Sequence, residues 1–307
     1  MNEIILIRKN LGIENYFNLT YNVTECCNYH CPYCMQGNKP KKDTNPILIE
    51  KISKEINKII YKLKQQGKNI DFHLIGGEVS IYDIKNLILK NIDLSNIYRF
   101  SMVTNLSRSV EYYKELLSYL KENNVNIRIK ASFHPTEISA EDSVNKIKSL
   151  KDYNIIPSLL ITKNEEINNY VYNIYNKLKE IDIQPSVSLE RINGIPVDVS
   201  FIKNKEILSE DRCKFHVYYS NNEKELLTKY ELLNKIKNTK DYLCDINNSK
   251  LIIGPKGNIK NACSQQKNNG TIFNFKLNNQ IIKCNTNHPC TLYAINELKK
   301  YEISRSN

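Results

Sequence analysis

The 307-residue chain, 41% hydrophobic and 25% charged, is long enough to bury about two-thirds or more of its unfolded surface. That composition excludes a disordered protein, and apolar runs no longer than Ile4–Ile7 exclude a membrane helix of roughly 20 residues. The formal charge of +11, from 44 Lys and Arg against 33 Asp and Glu, is spread along the chain, and no basic block interleaves with aromatics, which argues against a nucleic-acid partner.

The opening MNEIILIRKN has an acidic residue and too short an apolar stretch for a signal peptide, so the expected location is the cytoplasm, with no membrane partner. Tyr16–Val23 reads as a strand and Pro46–Gln66 as a helix, its isoleucines at helical spacing. Strands then follow at Asp71–Ile75, Tyr98–Val103, Asn126–Phe133, Ile155–Ile161 and Gln184–Leu189. The helices between them are Tyr82–Leu89, Val110–Glu122, Ala140–Leu150 and Glu165–Ile181. Six β/α repeats in a row imply parallel strands with right-handed crossovers, hence a barrel or an open α/β sheet. Either architecture puts function at the C-terminal ends of the strands.

The alternation stops near Gly194-Ile195-Pro196. After it come charged helical sequence at Glu223–Lys237 and a hairpin of Leu251–Ile253 and Asn258–Asn261 around Gly254-Pro255-Lys256-Gly257. A last helix is predicted at Leu292–Lys300. The expected division is a first domain over 1–195 and a small cysteine-rich α+β domain over 196–307.

Nine cysteines, an odd number, argue against a disulfide framework and for thiolate ligands. Four crowd the N-terminal part and five lie in the last third, which suggests one metal site in each. Cys27, Cys31 and Cys34 form C-x3-C-x2-C directly after the first predicted strand. Three thiolates on one loop suit three irons of a 4Fe–4S cube, leaving the fourth iron open for chemistry. Zinc is the alternative, although it usually takes four ligands in two spaced pairs; His30 is the available fourth. Cys26 reads as a bystander.

This loop, with Tyr33 before its last cysteine, resembles the signature of the radical S-adenosylmethionine superfamily. His73-Leu74-Ile75-Gly76-Gly77-Glu78 resembles the same family's GGE(P) motif, with Val79 replacing the proline. Alone, Gly-Gly-Glu is an ordinary turn. The resemblance spans roughly residues 16–190 and implies a partial (β/α)6, TIM-like barrel. It further implies an open iron that chelates the methionyl amine and carboxylate of S-adenosylmethionine, while Gly76, Gly77 and Glu78 receive the amine. Tyr33, Thr104, Asn105 and Ser132 fall where family members contact this cofactor, although strand-end caps and turns use the same residue types. The implied activity is that of a radical oxidoreductase: reductive cleavage to a 5′-deoxyadenosyl radical, fed by a flavodoxin or ferredoxin, and abstraction of hydrogen from a substrate.

Four later cysteines, Cys244, Cys263, Cys284 and Cys290, come from three short segments, the first two flanking the hairpin. Four thiolates suit a fully ligated 4Fe–4S cluster or a structural zinc. The arrangement resembles the twitch form of the SPASM auxiliary-cluster domain, which implies one auxiliary 4Fe–4S cluster; Cys213 is the substitute for Cys284. Such a cluster favours net oxidation of the substrate. The expected substrate is a small polar metabolite such as a sugar or aminocyclitol. The alternatives are a peptide or protein, as in a maturase performing cross-linking, epimerisation or sulfatase-type oxidation, and a non-enzymatic iron–sulfur or zinc protein. His73, His134, Glu190 and Arg191, near predicted strand ends, are the candidate substrate contacts.

Overall fold

Strand periodicity of two and helix periodicity of 3.6 assemble the first half of the chain, seen in a computed structural model. The described residues are 3–9, 13–34, 44–192, 195–196, 214–236, 238–263, 266, 270–278, 280–286 and 297–300. A short strand, β1 (Ile4–Lys9), comes first. Then follow β2 (Tyr16–Thr24), α1 (Pro46–Gln65), β3 (Asn69–Gly76), α2 (Ile84–Leu87) and β4 (Arg99–Thr104). The series continues with α3 (Val110–Glu122), β5 (Asn126–Ser132), α4 (Ala140–Ser149), β6 (Ile155–Ile161), α5 (Glu165–Glu180) and β7 (Ser186–Leu189). Strands β2 to β7 pair in sequence order, all parallel, as the expected partial TIM-like barrel requires.

The helices are started by side-chain caps. Asn45, Ser109, Ser139 and Asn164 each accept a backbone N–H from the first turn of α1, α3, α4 and α5. Ile49, Ile52, Ile56, Ile60 and Leu63 form the buried stripe of α1, against Phe17, Leu19, Tyr21, Phe72 and Leu74. The helix expected at Tyr82–Leu89 is instead a series of single turns, Val79–Ile81, α2, Leu89–Asn91 and Leu94–Asn96. Asp83 and Asp93 interrupt it by capping new turns through their carboxylates.

Because side chains alternate, one face of each strand meets the helices and the other lines the concave side. The helix-facing residues are apolar: Leu19, Tyr21, Phe72, Leu74, Phe100, Met102, Ile129 and Leu159 are fully buried. The concave face is polar, with Asn18, Thr20, Asp71, His73, Ser101, Arg128, Lys130, Ser132 and Ser158 on it. At its base Tyr16 donates to the buried Asp71 carboxylate, which also receives Arg99 Nη2 at 2.8 Å and Ser101 Oγ at 2.5 Å.

After β7 come two short paired strands, β8 (Arg191–Ile192) and β9 (Ile195–Pro196). The rest builds β10 (Lys214–Tyr219), β11 (Lys224–Thr228), β12 (Leu243–Cys244), β13 (Lys250–Ile253), β14 (Ile259–Lys260), β15 (Ile282–Lys283) and β16 (Glu297–Lys299). A second sheet runs β11-β10-β1-β16-β12-β15 over its own core of Ile7, Phe215, Val217, Leu232, Ile246 and Leu298. The predicted hairpin is present as β13 and β14, with Gly257 at φ +77° in its turn, a conformation that favours glycine. β13 pairs parallel to β2, so the hairpin extends the barrel sheet. Each sheet thus takes strands from both sides of residue 195.

Two expected helices are corrected. Lys224–Thr228, inside the segment read as helical, pairs with β10 as a strand, and only Lys229–Lys235 is helical, started by a Thr228–Glu231 capping box. Glu297–Lys299, read as the end of a helix, is a strand between β1 and β12. In both, pairing across the sheet overrides local propensity. Among the described residues, no helix is long and apolar enough to cross a membrane.

Candidate active site

The cysteine loop leaves the C-terminal end of β2 and is fixed by the neighbouring strand. Gly77 N–H donates to Thr24 O at 2.9 Å, and Glu78 N–H to Cys26 O at 2.8 Å. A side chain at either glycine would collide with this junction. A Cβ on Gly77 would lie 1.9 Å from Cys26 O, and one on Gly76 would lie 2.7 Å from Thr24 O. The glycines therefore let the main chain of β3 touch the cysteine loop itself.

Glu78 is 1% exposed. Its Oε1 accepts from Ser80 N–H at 2.9 Å and Thr104 Oγ1 at 2.7 Å, and its Oε2 from Asn105 N–H at 2.6 Å. Most of the roughly four acceptor positions of a carboxylate are thus used by the fold, the Ser80 hydroxyl contributing as well. The resemblance implies Glu78 as an acceptor for a ligand amine; in the structure it also ties the ends of β3 and β4 together. Burial pushes its pKa above the ordinary carboxylate range, and the donated hydrogen bonds offset only part of that.

Around the loop, Cys27 Sγ receives Tyr29 N–H at 3.4 Å and Asn105 Nδ2 at 3.9 Å. Asn105 Nδ2 also donates to Asn28 Oδ1 at 3.0 Å, so the end of β4 reaches the loop. Cys34 N–H closes a turn onto Cys31 O at 3.1 Å. Cys31 Sγ lies 3.2 Å from His134 Nδ1, and the His134 ring stacks on Tyr33 at 6.2 Å. His30 N–H donates to Glu137 Oε1 at 3.0 Å. The structure therefore brings Cys27, Cys31, Cys34, Tyr33, Glu78, Thr104 and Asn105 to one end of the barrel. Thr104 has the helix-facing parity of β4 and is 1% exposed, its Oγ1 meeting Glu78 and Tyr113 of α3, whereas Ser132 sits on the concave face opposite Ser158. Asn28, Glu137 and the role of His134 beside Cys31 were missed, because strand-end loops bring them together without any sequence spacing.

The donor set fits a 4Fe–4S cube. None of the three is in a disulfide, and Cys27 Sγ, like a thiolate ligand, is met by N–H donors. Among the described residues no three His, Cys, Asp or Glu side chains converge on one ion. A cube gives each thiolate its own iron, so it does not need that convergence.

At the second sheet, Cys284 N–H donates to Tyr242 O at 2.8 Å while Cys244 pairs with Ile282. That register puts Cys244 and Cys284 on the same face of β12 and β15. Both are buried, and Cys284 Sγ lies 3.0 Å from Thr286 Oγ1. Cys263 follows Ala262, which packs against the core containing Cys244. Cys213 and Cys290 lie outside the described residues, as does the Arg191 side chain. Of the remaining candidate contacts, Glu190 Oε2 accepts Lys163 N–H at 2.9 Å and His73 faces the concave side.

Known proteins resemble this chain in sequence and in fold. Residues 21–165 match the Radical SAM superfamily model. A curated protein of Fibrobacter sp. (strain UWH6), an S-adenosylmethionine-dependent nucleotide dehydratase, is 26% identical over 223 residues, 67% of this chain. The match spans 62% of that relative's own length. The solved structure of native anSMEcpe with bound AdoMet shares the fold at a TM-score of 0.52 and 13% identity, over 84% of this chain and 78% of the other.

Proposed function

We propose, for this radical SAM enzyme whose superfamily domain spans residues 21–165, that it abstracts a hydrogen atom from a small polar metabolite and that the net reaction is an oxidation. The observation that carries the reading is the junction of two motifs: the Cys27, Cys31, Cys34 loop hydrogen-bonded to Gly77 and Glu78 at adjacent strand ends. When bound, the cluster and S-adenosylmethionine supply the 5′-deoxyadenosyl radical that takes the hydrogen atom, and an auxiliary cluster supplies the acceptor for the electron the substrate then loses, its proton going to water. Cys27, Cys31 and Cys34 hold the first cluster in this reading. The carbonyls of Gly76 and Gly77 and the Glu78 carboxylate receive the methionyl amine. A cation beside Glu78 would also favour its ionised form, which burial alone disfavours. Tyr33, Thr104, Asn105 and Ser132 complete the cofactor contacts. Cys244, Cys263, Cys284 and Cys290 hold the auxiliary cluster in a twitch-like segment over 196–307.

The relative named as a nucleotide dehydratase supports a small molecule over a peptide as substrate. It also favours a second outcome, in which the substrate radical sheds its hydroxyl with a proton as water and then takes one electron from the external donor. Product mass separates the two: oxidation leaves the product two hydrogens lighter, dehydration one water lighter.

The test of the first step is anaerobic reconstitution with a flavodoxin or chemical reductant. The wild type should form 5′-deoxyadenosine and Cys31→Ala should form none. Cleavage persisting in Cys31→Ala would overturn the assignment.

A further inference from the structure

The loop after β5 holds a histidine against the cysteine loop. β5 ends at Ser132, yet Phe133 N–H still donates to Ser158 O at 2.9 Å, so the strand's pairing carries on into the loop. Pro135 biases His134 towards extended backbone, and His134 O accepts Glu137 N–H at 2.9 Å and Ile138 N–H at 3.2 Å. The turn closed in this way grips the cysteine loop at two points. Glu137 Oε1 takes the His30 amide at 3.0 Å, and the His134 ring reaches Cys31, with Nδ1 3.2 Å from Sγ. Tyr33 lies nearly parallel to that ring at 6.2 Å, and Tyr29 meets it edge-on at 5.8 Å. Two aromatic neighbours from the cysteine loop therefore restrict how the imidazole can turn.

We infer that His134 donates its Nδ1–H to the Cys31 thiolate and so raises the reduction potential of the first cluster. This rests on the reading of Cys27, Cys31 and Cys34 as ligands of a 4Fe–4S cube. A ligating thiolate has no proton to give, so the hydrogen of this bond sits on Nδ1, a position the neutral imidazole can hold. Hydrogen bonds to an ionised acceptor are stronger than neutral ones. When one electron passes from the flavodoxin or chemical reductant to the site, negative charge on the sulfurs grows while the proton stays on Nδ1. An N–H aimed at a ligand sulfur therefore favours the reduced form, and such bonds are among the properties that set iron–sulfur potentials. His134 acts through Cys31. A candidate substrate contact on sequence alone, it has this nitrogen engaged at the cysteine loop instead.

The experiment is a redox titration of the reconstituted full chain, followed by the EPR signal of the reduced cube. The parent carries Cys244→Ala and Cys263→Ala, so that the first site alone reports. His134→Phe keeps a ring between Tyr29 and Tyr33 but loses the N–H. It should weaken reduction about tenfold, which for one electron is a potential ~59 mV lower. His134→Asn, whose amide nitrogen takes the place of Nδ1, should keep the parent potential. With heavy-nitrogen histidine incorporated, pulsed EPR of the reduced parent should show a coupled histidine nitrogen that persists in His30→Gln and vanishes in His134→Asn. That signal reads the contact even where His134→Phe assembles no cube. An unchanged potential in His134→Phe, an equal drop in His134→Asn, or a histidine coupling that survives in His134→Asn overturns the inference. Iron and sulfide content scores the ligand reading separately. A parent without a cube removes both, whereas a loaded parent whose potential ignores His134 removes only the role given to the histidine.

Discussion

The two cysteine groups differ in how the fold holds them. Cys27, Cys31 and Cys34 come from one short loop whose backbone is pinned to Gly77 and Glu78 on the next strand. Cys244 and Cys284 come from separate segments joined through two-residue strands of the second sheet, and Cys263 from the segment after β14 of the barrel sheet. The first arrangement is local and set by spacing. The second exists only once β1, β12, β15 and β16 have paired. A local site should therefore fail through single backbone contacts, and a dispersed site through loss of its ligands alone.

The largest effect expected from this difference is at Gly77. Its replacement by alanine sets a Cβ 1.9 Å from Cys26 O, so the loop must move away from β3. Gly77→Ala should lose most of the roughly four irons of the first cube and with them 5′-deoxyadenosine formation. Iron and sulfide analysis checks this, and a fully loaded, active variant would show that the contact does not position the loop.

Next in size is the dispersed group. Cys244→Ala combined with Cys263→Ala should lower iron from about eight to about four per chain and retain S-adenosylmethionine cleavage. The oxidised product should disappear. Product formed at the normal rate by this variant would exclude an electron-accepting role, and loss of one zinc in place of four irons would support the structural alternative.

What the sequence made legible follows the same division. The barrel strands, the cysteine spacing and the Gly-Gly-Glu turn are short-range patterns, and all could be read from residues near one another. Leu298 and Ile7 could not, because a six-residue strand at the N-terminus and a three-residue strand near the C-terminus become partners only in the folded chain. Lys224–Thr228 misled for a related reason: in isolation its charged composition suits a helix, whereas its pairing with β10 puts Leu227 into the second core. The polar concave face is carried on β2 by Asn18, Thr20 and Asn22 between apolar neighbours, a signal the strand assignment alone does not use. Only the sheet register shows that Arg128, Lys130 and Lys250 share that face.

A smaller effect separates the interiors of the two sheets. Burial lowers the His73 pKa from 6.5 to about 4; Asp71 opposes the change, and Lys250, Arg128 and Lys130 reinforce it. A folded state that binds fewer protons than the unfolded chain gains stability as pH rises from about 4 to 6.5 and loses it again on acidification. With the ring half-buried and partly screened, the expected contribution is about 1–2 kcal/mol. His73→Gln should flatten this part of the urea-stability profile of the metal-free full chain, measured between about pH 5 and about pH 7. An unchanged slope would show that His73 is solvated. His216, in the second sheet, is also shifted down, by burial, Lys224 and Arg8. His216→Gln, at a part-buried ring whose Nδ1 is enclosed, should change the slope in the same direction.

The smallest effect tests whether the two regions communicate through a charged contact at the cysteine loop. Lys260 on β14 meets Glu25, next to Cys26, at 3.3 Å, with side chains 36% and 51% exposed. Exposed pairs of this kind contribute about 0.2–1 kcal/mol and are screened by salt. The loop does not depend on the pair for its position, because Gly77 and Glu78 hold it through backbone hydrogen bonds. Meanwhile β13 is fixed to β2 by its own ladder from Lys250 to Ile253. Lys260→Gln should therefore change stability by less than about 0.5 kcal/mol, with unchanged iron content and cleavage rate. If it instead lost iron from the first site, the hairpin would be a necessary support of the cysteine loop, and the contrast between a local and a dispersed site would fail at that strand.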